Sequence, residues 1–228
     1  MKSALIVGAG EGLSASLARK LSSAGLQIAL ASRNTAKLGA LTVETGAKVF
    51  DCDATDPADV VRLFDDVQAR LGAPDVVIYN ASARTGGPIT GLDPAEVQRT
   101  LAVTAFGGFL VGQQAARLMV ARGSGVILFT GASASVKGYA QSAPFAMGKF
   151  ALRGLAQSMA RELGPQGVHV AHIVIDGAIR SASRLDPPDH PDSHLDPDAI
   201  ADAYVALIAQ PRNAWTHELD VRPWTERF

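Results

Sequence analysis

Short apolar runs, separated by longer segments with helical amphipathic spacing, recur along most of the chain. Residues 4–7, 27–31, 48–50, 76–79, 126–130 and 168–175 are predicted strands. They read as near-continuous Val, Ile, Leu and Ala rather than as alternating apolar and polar positions. Strands buried on both faces have this pattern, as parallel strands covered by helices do. Helical segments are predicted to begin near Gly12, Asn34, Pro57, Pro94 and Pro144, followed by a last helix over 197–209 and a short strand around 216–221. Such alternation predicts an α/β fold, a doubly wound parallel sheet of about seven strands with helices on both faces. Residues 181–197 (SASRLDPPDHPDSHLDP) break the rhythm. Rich in Pro, Asp, Ser and His, they read either as a surface loop or as a flap over a substrate.

Composition narrows the class. The 228 residues are 47% hydrophobic and 19% charged, with 22 Gly and 12 Pro. A chain of this length forms one domain, 1–228, burying about 70% of its extended surface. A disordered chain, a collagen and a coiled coil are excluded. The formal charge of −1 gives nucleic acid no general electrostatic reason to bind. The lone Cys52 rules out an intramolecular disulfide and suits a cytoplasmic location, and no Cys/His spacing fits a metal site. No apolar stretch approaches the ~18–20 residues needed to cross a bilayer, and no signal peptide is expected.

Chemistry begins after the first strand, at Gly8-Ala9-Gly10-Glu11-Gly12-Leu13-Ser14-Ala15. Glycines here permit a tight turn and close approach of backbone to a pyrophosphate, whose charge then faces a helix N-terminus. The second predicted strand ends in Ser32-Arg33-Asn34, where an NAD site usually carries an acidic residue for the ribose hydroxyls. A carboxylate would repel a 2′-phosphate, whereas the Arg33 guanidinium can bind one, so NADP(H) is expected over NAD(H).

With these features the sequence resembles the short-chain dehydrogenase/reductase family from residue 3 to about 181. The family's Gly-x-x-x-Gly-x-Gly appears as Gly8, Gly12 and Ser14, with the last glycine replaced. Asp53 matches its adenine-facing acid, and Tyr79-Asn80-Ala81-Ser82 its Asn-Asn-Ala-Gly. Asp176-Gly177 stands where the family has Pro-Gly, with Ile179 and Ser181 following. The resemblance implies a single-domain Rossmann-like fold binding NADP(H) through Gly8, Gly10, Gly12, Leu13, Ser32, Arg33, Asp53, Asn80, Ala81, Lys149, Gly177, Ile179 and Ser181. It also implies a small-molecule substrate and a homodimer or homotetramer. The segment Phe109-Leu110-Val111-Gly112-Gln113 is similar to the family's oligomer-forming central helix.

The family's catalytic set is degenerate here. Its Tyr-x-x-x-Lys reads Phe145-Ala146-Met147-Gly148-Lys149, its serine position holds Ala132 and its asparagine position Thr104. A general acid contributes about 10²–10⁴ in rate and an oxyanion donor about 10²–10³, so the family mechanism cannot run as written. Ser133, Ser135, Tyr139 and Ser142 are nearby hydroxyls, and catalysis is assigned to Lys149, Ser133 and Tyr139. His169, His172 and His217 read as structural, and His190 and His194 as weak substrate-contact candidates. The tail from Trp215 to Trp224 reads as an oligomer contact. Two functions follow: an NADP(H)-dependent oxidoreductase acting on a carbonyl or conjugated small molecule with a non-standard proton donor, or a catalytically silent NADP(H)-binding sensor, subunit or scaffold.

Overall fold

The computed structural model describes residues 1–226. Seven strands form one sheet, parallel throughout: β1 (Ser3–Val7), β2 (Gln27–Ser32), β3 (Lys48–Asp51), β4 (Val76–Tyr79), β5 (Gly125–Thr130), β6 (Val168–Ile175) and β7 (Glu218–Val221). Their order is β3-β2-β1-β4-β5-β6-β7. The strand order reverses between β1 and β4, and the carboxyl ends of such strands form a crevice in which ligands of open α/β sheets gather.

Helices cover both faces, as the buried-both-sides strands require. On one face α1 (Leu13–Ser23), α2 (Gly39–Thr45) and α7 (Pro197–Ile208) bury Leu17, Leu21, Leu41, Tyr204 and Leu207 against Ile6, Leu30, Ile78 and Leu128. On the other, α3 (Pro57–Leu71), α5 (Gly107–Arg122) and α6 (Ala143–Leu163) bury Leu63, Phe64, Met119 and Leu152 against Leu5, Val77, Tyr79 and Phe129. Alternate residues of β1, β2, β4, β5 and β6 thus serve opposite cores.

Three helices start on Asp-Pro. Asp56, Asp93 and Asp196 each accept a backbone N–H of the first turn, ahead of Pro57, Pro94 and Pro197, in α3, α4 (Pro94–Leu101) and α7. The proline lacks only an N–H that no helix would use there. This chemistry made those starts legible.

Two local predictions shift. The element expected near Asn34 is a 3₁₀ turn over Thr35–Leu38 leading into α2 at Gly39. The strand expected from 216 begins at Glu218, because Thr216 is occupied elsewhere: its N–H donates to Gln210 Oε1 and its carbonyl bonds His169 Nε2. The helix beginning at Pro94 continues through a π-helical segment, Ala102–Phe106, into α5. Such segments often mark functional sites.

Among the described residues no helix is long and apolar enough to cross a membrane. No cluster of His, Cys, Asp and Glu able to hold a metal is found there either.

Candidate active site

The turn after β1 is built around Gly8. Its φ of +87° is a conformation L side chains rarely adopt, and a Cβ there would lie 2.3 Å from the Ala81 nitrogen. Gly8 and Ala9 both donate to the Ala31 carbonyl, pinning the turn to β2. Ser14, in place of the family's last glycine, ties the crevice together. Its hydroxyl donates to the Gly8 carbonyl at 3.1 Å and accepts from Asn80 Nδ2 at 2.7 Å. Gly12 caps α1 without any side-chain acceptor, which leaves first-turn N–H groups free to receive an anion. A Cβ on Gly10 or Gly12 would point into open space. This donor set and this room fit a dinucleotide's pyrophosphate.

Three cavities lie along this edge of the sheet. The first, about 240 Å³, is lined by Gly8, Ser32, Arg33, Cys52, Asn80 and Ala81. Its neighbour, about 690 Å³, is lined by Gly10, Glu11, Ser32, Arg33, Asn34 and Lys37. Arg33 and Lys37 are both exposed there, four positions apart, with Lys37 in the 3₁₀ turn that follows. Lys37 had a sequence signal, four positions past Arg33, that motif matching passes over. Gly12, Asp53 and Ser181 line none of the three. Asp53 is tied within its own turn, accepting from the Thr55 N–H at 2.9 Å and hydroxyl at 2.8 Å. Burial pushes the neighbouring Cys52 thiol up to about 12, so it is inert at neutral pH.

The third cavity, about 860 Å³, gathers the catalytic candidates. Lys149, Ser133 and Tyr139 line it together with Leu13, Asn80, Gly177 and Ile179, and so do Ala132, Ser142 and Phe145. Phe145 stays beside the cavity rather than turning wholly into the core, its ring centre 5.8 Å from Lys149 Nζ. Lys149 is 3% exposed and donates to the Thr130 carbonyl at 2.7 Å. Burial, reinforced by the nearby Arg84 charge, pulls its pKa from the usual lysine value down to about 7.

Other hydroxyls are engaged. Ser135 accepts from the Ala132 N–H, and Thr104, in the π segment, accepts from the Ala83 N–H at 3.2 Å. Thr104 thereby braces the loop after β4. The histidines also separate. His169 stacks on Trp215 at 4.9 Å, His172 pairs with Glu218, and His194 bonds Asp186 at 2.9 Å. His190 is exposed beside Asp189, and neither it nor His194 lines the large cavity. Trp215 is thus engaged within the chain, whereas Trp224 is 83% exposed.

Residues 181–197 are tied back to the residues just before them. Arg180 pairs with Asp186 and Asp196, and Ile179 bridges Leu195 in parallel. Sequence reasoning missed two arginines of the large cavity, Arg84 and Arg184. Arg84 follows β4 at the crevice, which was the available signal.

A seven-stranded doubly wound sheet, a glycine turn opening α1 and a buried lysine facing the same crevice define a nucleotide-binding oxidoreductase class. Residues 2–184 match the family model for short chain dehydrogenase, and the chain belongs to that family. A short-chain dehydrogenase from Rhodopseudomonas palustris superposes with a TM-score of 0.84 at 35% identity, covering 98% of this chain and 99% of that one. A metagenomic short-chain oxidoreductase in complex with NADP gives 0.85 at 28%, covering 99% and 98%. An uncharacterized oxidoreductase of Staphylococcus aureus (strain N315) is 28% identical over 228 residues, 97% of each chain.

Proposed function

We propose that the protein is an NADP(H)-dependent oxidoreductase acting on a carbonyl or conjugated small molecule, with Lys149 as the group that gives or takes the proton. The observation that carries this reading is Lys149, buried in the crevice with a pKa near 7 and with Phe145 beside it at the position of the family's tyrosine. A reduced nicotinamide, when bound, supplies the hydride that goes to carbon. The carbonyl oxygen must then gain a proton, and an ammonium half-ionised near neutrality can release one and recover it from solvent. Ser133 and Tyr139 supply hydroxyls to orient the oxygen.

Gly8, Gly10, Gly12 and Leu13 would hold the pyrophosphate, and Asn80, Ala81, Gly177 and Ile179 the remainder of the dinucleotide. Arg33, with Lys37, would take the 2′-phosphate, which favours NADP(H). The NADP complex of the metagenomic relative supports this cofactor class. Exposed Phe106 and Phe109, with ring centres 6.1 Å apart, and exposed Met147 and Phe150 on α6 support a homodimer or homotetramer through these helices. A free, buried Cys52 suits a cytoplasmic location.

A second reading, a silent NADP(H)-binding sensor, subunit or scaffold, is favoured by Phe145 and Ala132, which present no hydroxyl to the cavity. NADPH consumption against aldehydes, ketones and enones separates the two. Turnover that is lost in Lys149→Met supports the first. Tight NADPH binding without turnover on any probe selects the second.

A further inference from the structure

Charge in the large cavity is one-sided. Among the described residues every charged side chain lining it is a cation: Arg84, Lys149 and Arg184. Arg180, four residues before Arg184, is neutralised by Asp186 and Asp196. Among the described residues Arg84 and Arg184 have no such ion pair. Arg84 is also held in place, with its guanidinium carbon 4.2 Å from the centre of the Phe145 ring. A guanidinium lying on an aromatic face loses little freedom on binding, and its edge remains available for a two-point hydrogen-bonded pair with a carboxylate. Phe145 thereby acquires a use that the loss of its hydroxyl conceals. It is the platform under Arg84.

Position supports the same conclusion. Arg84 extends from the loop after β4 and Arg184 from the loop after β6, so the two cations reach the cavity from separate elements. The Arg33–Lys37 cavity, which would take a 2′-phosphate, shares no lining residue with the large one, whereas the cavity at the glycine turn adjoins it through Asn80 and Ser82. Arg84 and Arg184 are solvent-exposed at the cavity, so an apolar substrate would leave them to water and draw nothing from them, whereas a carboxylate would engage them.

We propose that the substrate of this crevice carries a carboxylate, bound by the Arg84 guanidinium on the Phe145 ring, with Arg184 as the second cation. This rests on the crevice being the substrate site of the reductase proposed above. It narrows the substrate from any carbonyl compound to an oxo acid or a conjugated acid.

Calorimetric titration of NADP⁺-saturated protein with formate, acetate, benzoate and benzoylformate, each against its primary amide, tests it. Saturation keeps the Arg33 region filled, and binding rather than turnover is read. The expected result is a carboxylate preference of about tenfold or more for at least one pair, the scale of a hydrogen bond to a charged group. Arg84→Gln should bring acid and amide to within about twofold, and Arg184→Gln should cause a smaller loss. An unchanged thermal shift with NADP⁺ shows that each variant is folded. Equal binding of acids and amides by the unmodified protein, absent binding of all four acids, or a preference that persists in Arg84→Gln would overturn the proposal. Failure of NADP⁺ itself to bind would instead overturn the cofactor reading.

Discussion

Removing the amine of Lys149 should stabilise the protein while disabling it. The ammonium titrates near 10.5 in an unfolded chain and near 7 in the folded protein, where burial penalises its charge. Because the folded value is the lower one, the unfolded chain binds more protons between these limits, and stability rises with pH across them. At 1.36 kcal/mol per pH unit the charged group costs the fold about 5 kcal/mol at acidic pH. About 2 kcal/mol of that is relieved between pH 7 and 9. Other shifted groups act outside this window. His172, lowered to about 4, acts below 6.5, whereas Cys52, raised to about 12, acts mainly above 9.

Urea denaturation of the apoprotein at pH 7, 8 and 9 should therefore show stability climbing by about 2 kcal/mol. Lys149→Met keeps a stem of similar length, so its profile should be flat. At pH 7 it should lie about 3 kcal/mol above the parent, after deducting the lost bond to the Thr130 carbonyl. Parallel pH profiles for the two proteins would refute the reasoning, since Lys149 would then not be the group whose proton is lost on folding.

Arg33→Asp should reverse the order in which NADPH and NADH raise the melting temperature, because a charge-assisted pair becomes a repulsion. Equal shifts for both nucleotides in the parent would count against 2′-phosphate binding. Gly8→Ala should cost about 2–5 kcal/mol in chemical denaturation, from left-handed strain plus overlap with Ala81; a loss within experimental error would show that the turn relaxes freely. Phe145→Tyr with Ala132→Ser restores both family hydroxyls at the cavity wall and should raise NADPH-dependent reduction of simple diketones about 100-fold. No gain from a folded double variant would mean that residue 145 does not reach the reacting oxygen.

Much of the fold was legible in the sequence because its causes are local. Continuous apolar runs announced strands covered on both faces, and β4 and β6 begin and end where the pattern placed them. Asp-Pro pairs marked three helix starts. The glycine turn, Arg33 and Lys149 could be picked out because each stands at a fixed offset from a strand end or a motif in the chain. The missing tyrosine, serine and asparagine were equally plain, since a substitution inside a fixed spacing needs no structure to be seen.

What surrounds Lys149 was decided by the tertiary structure. Arg84 is 65 positions away in the chain, and nothing local says that its guanidinium lies on Phe145 and depresses the lysine. The same holds for Ser14, which joins the glycine turn to Asn80 across 66 positions, and for Thr104, which braces Ala83. Hydrophobic period and turn chemistry act over a few residues, so they specify strands, helices and their caps. The charge and hydrogen bonding of a site depend on which side chains several strand ends bring within a few ångströms. That is fixed only when the parallel sheet closes in the order β3-β2-β1-β4-β5-β6-β7 and its loops meet over one edge.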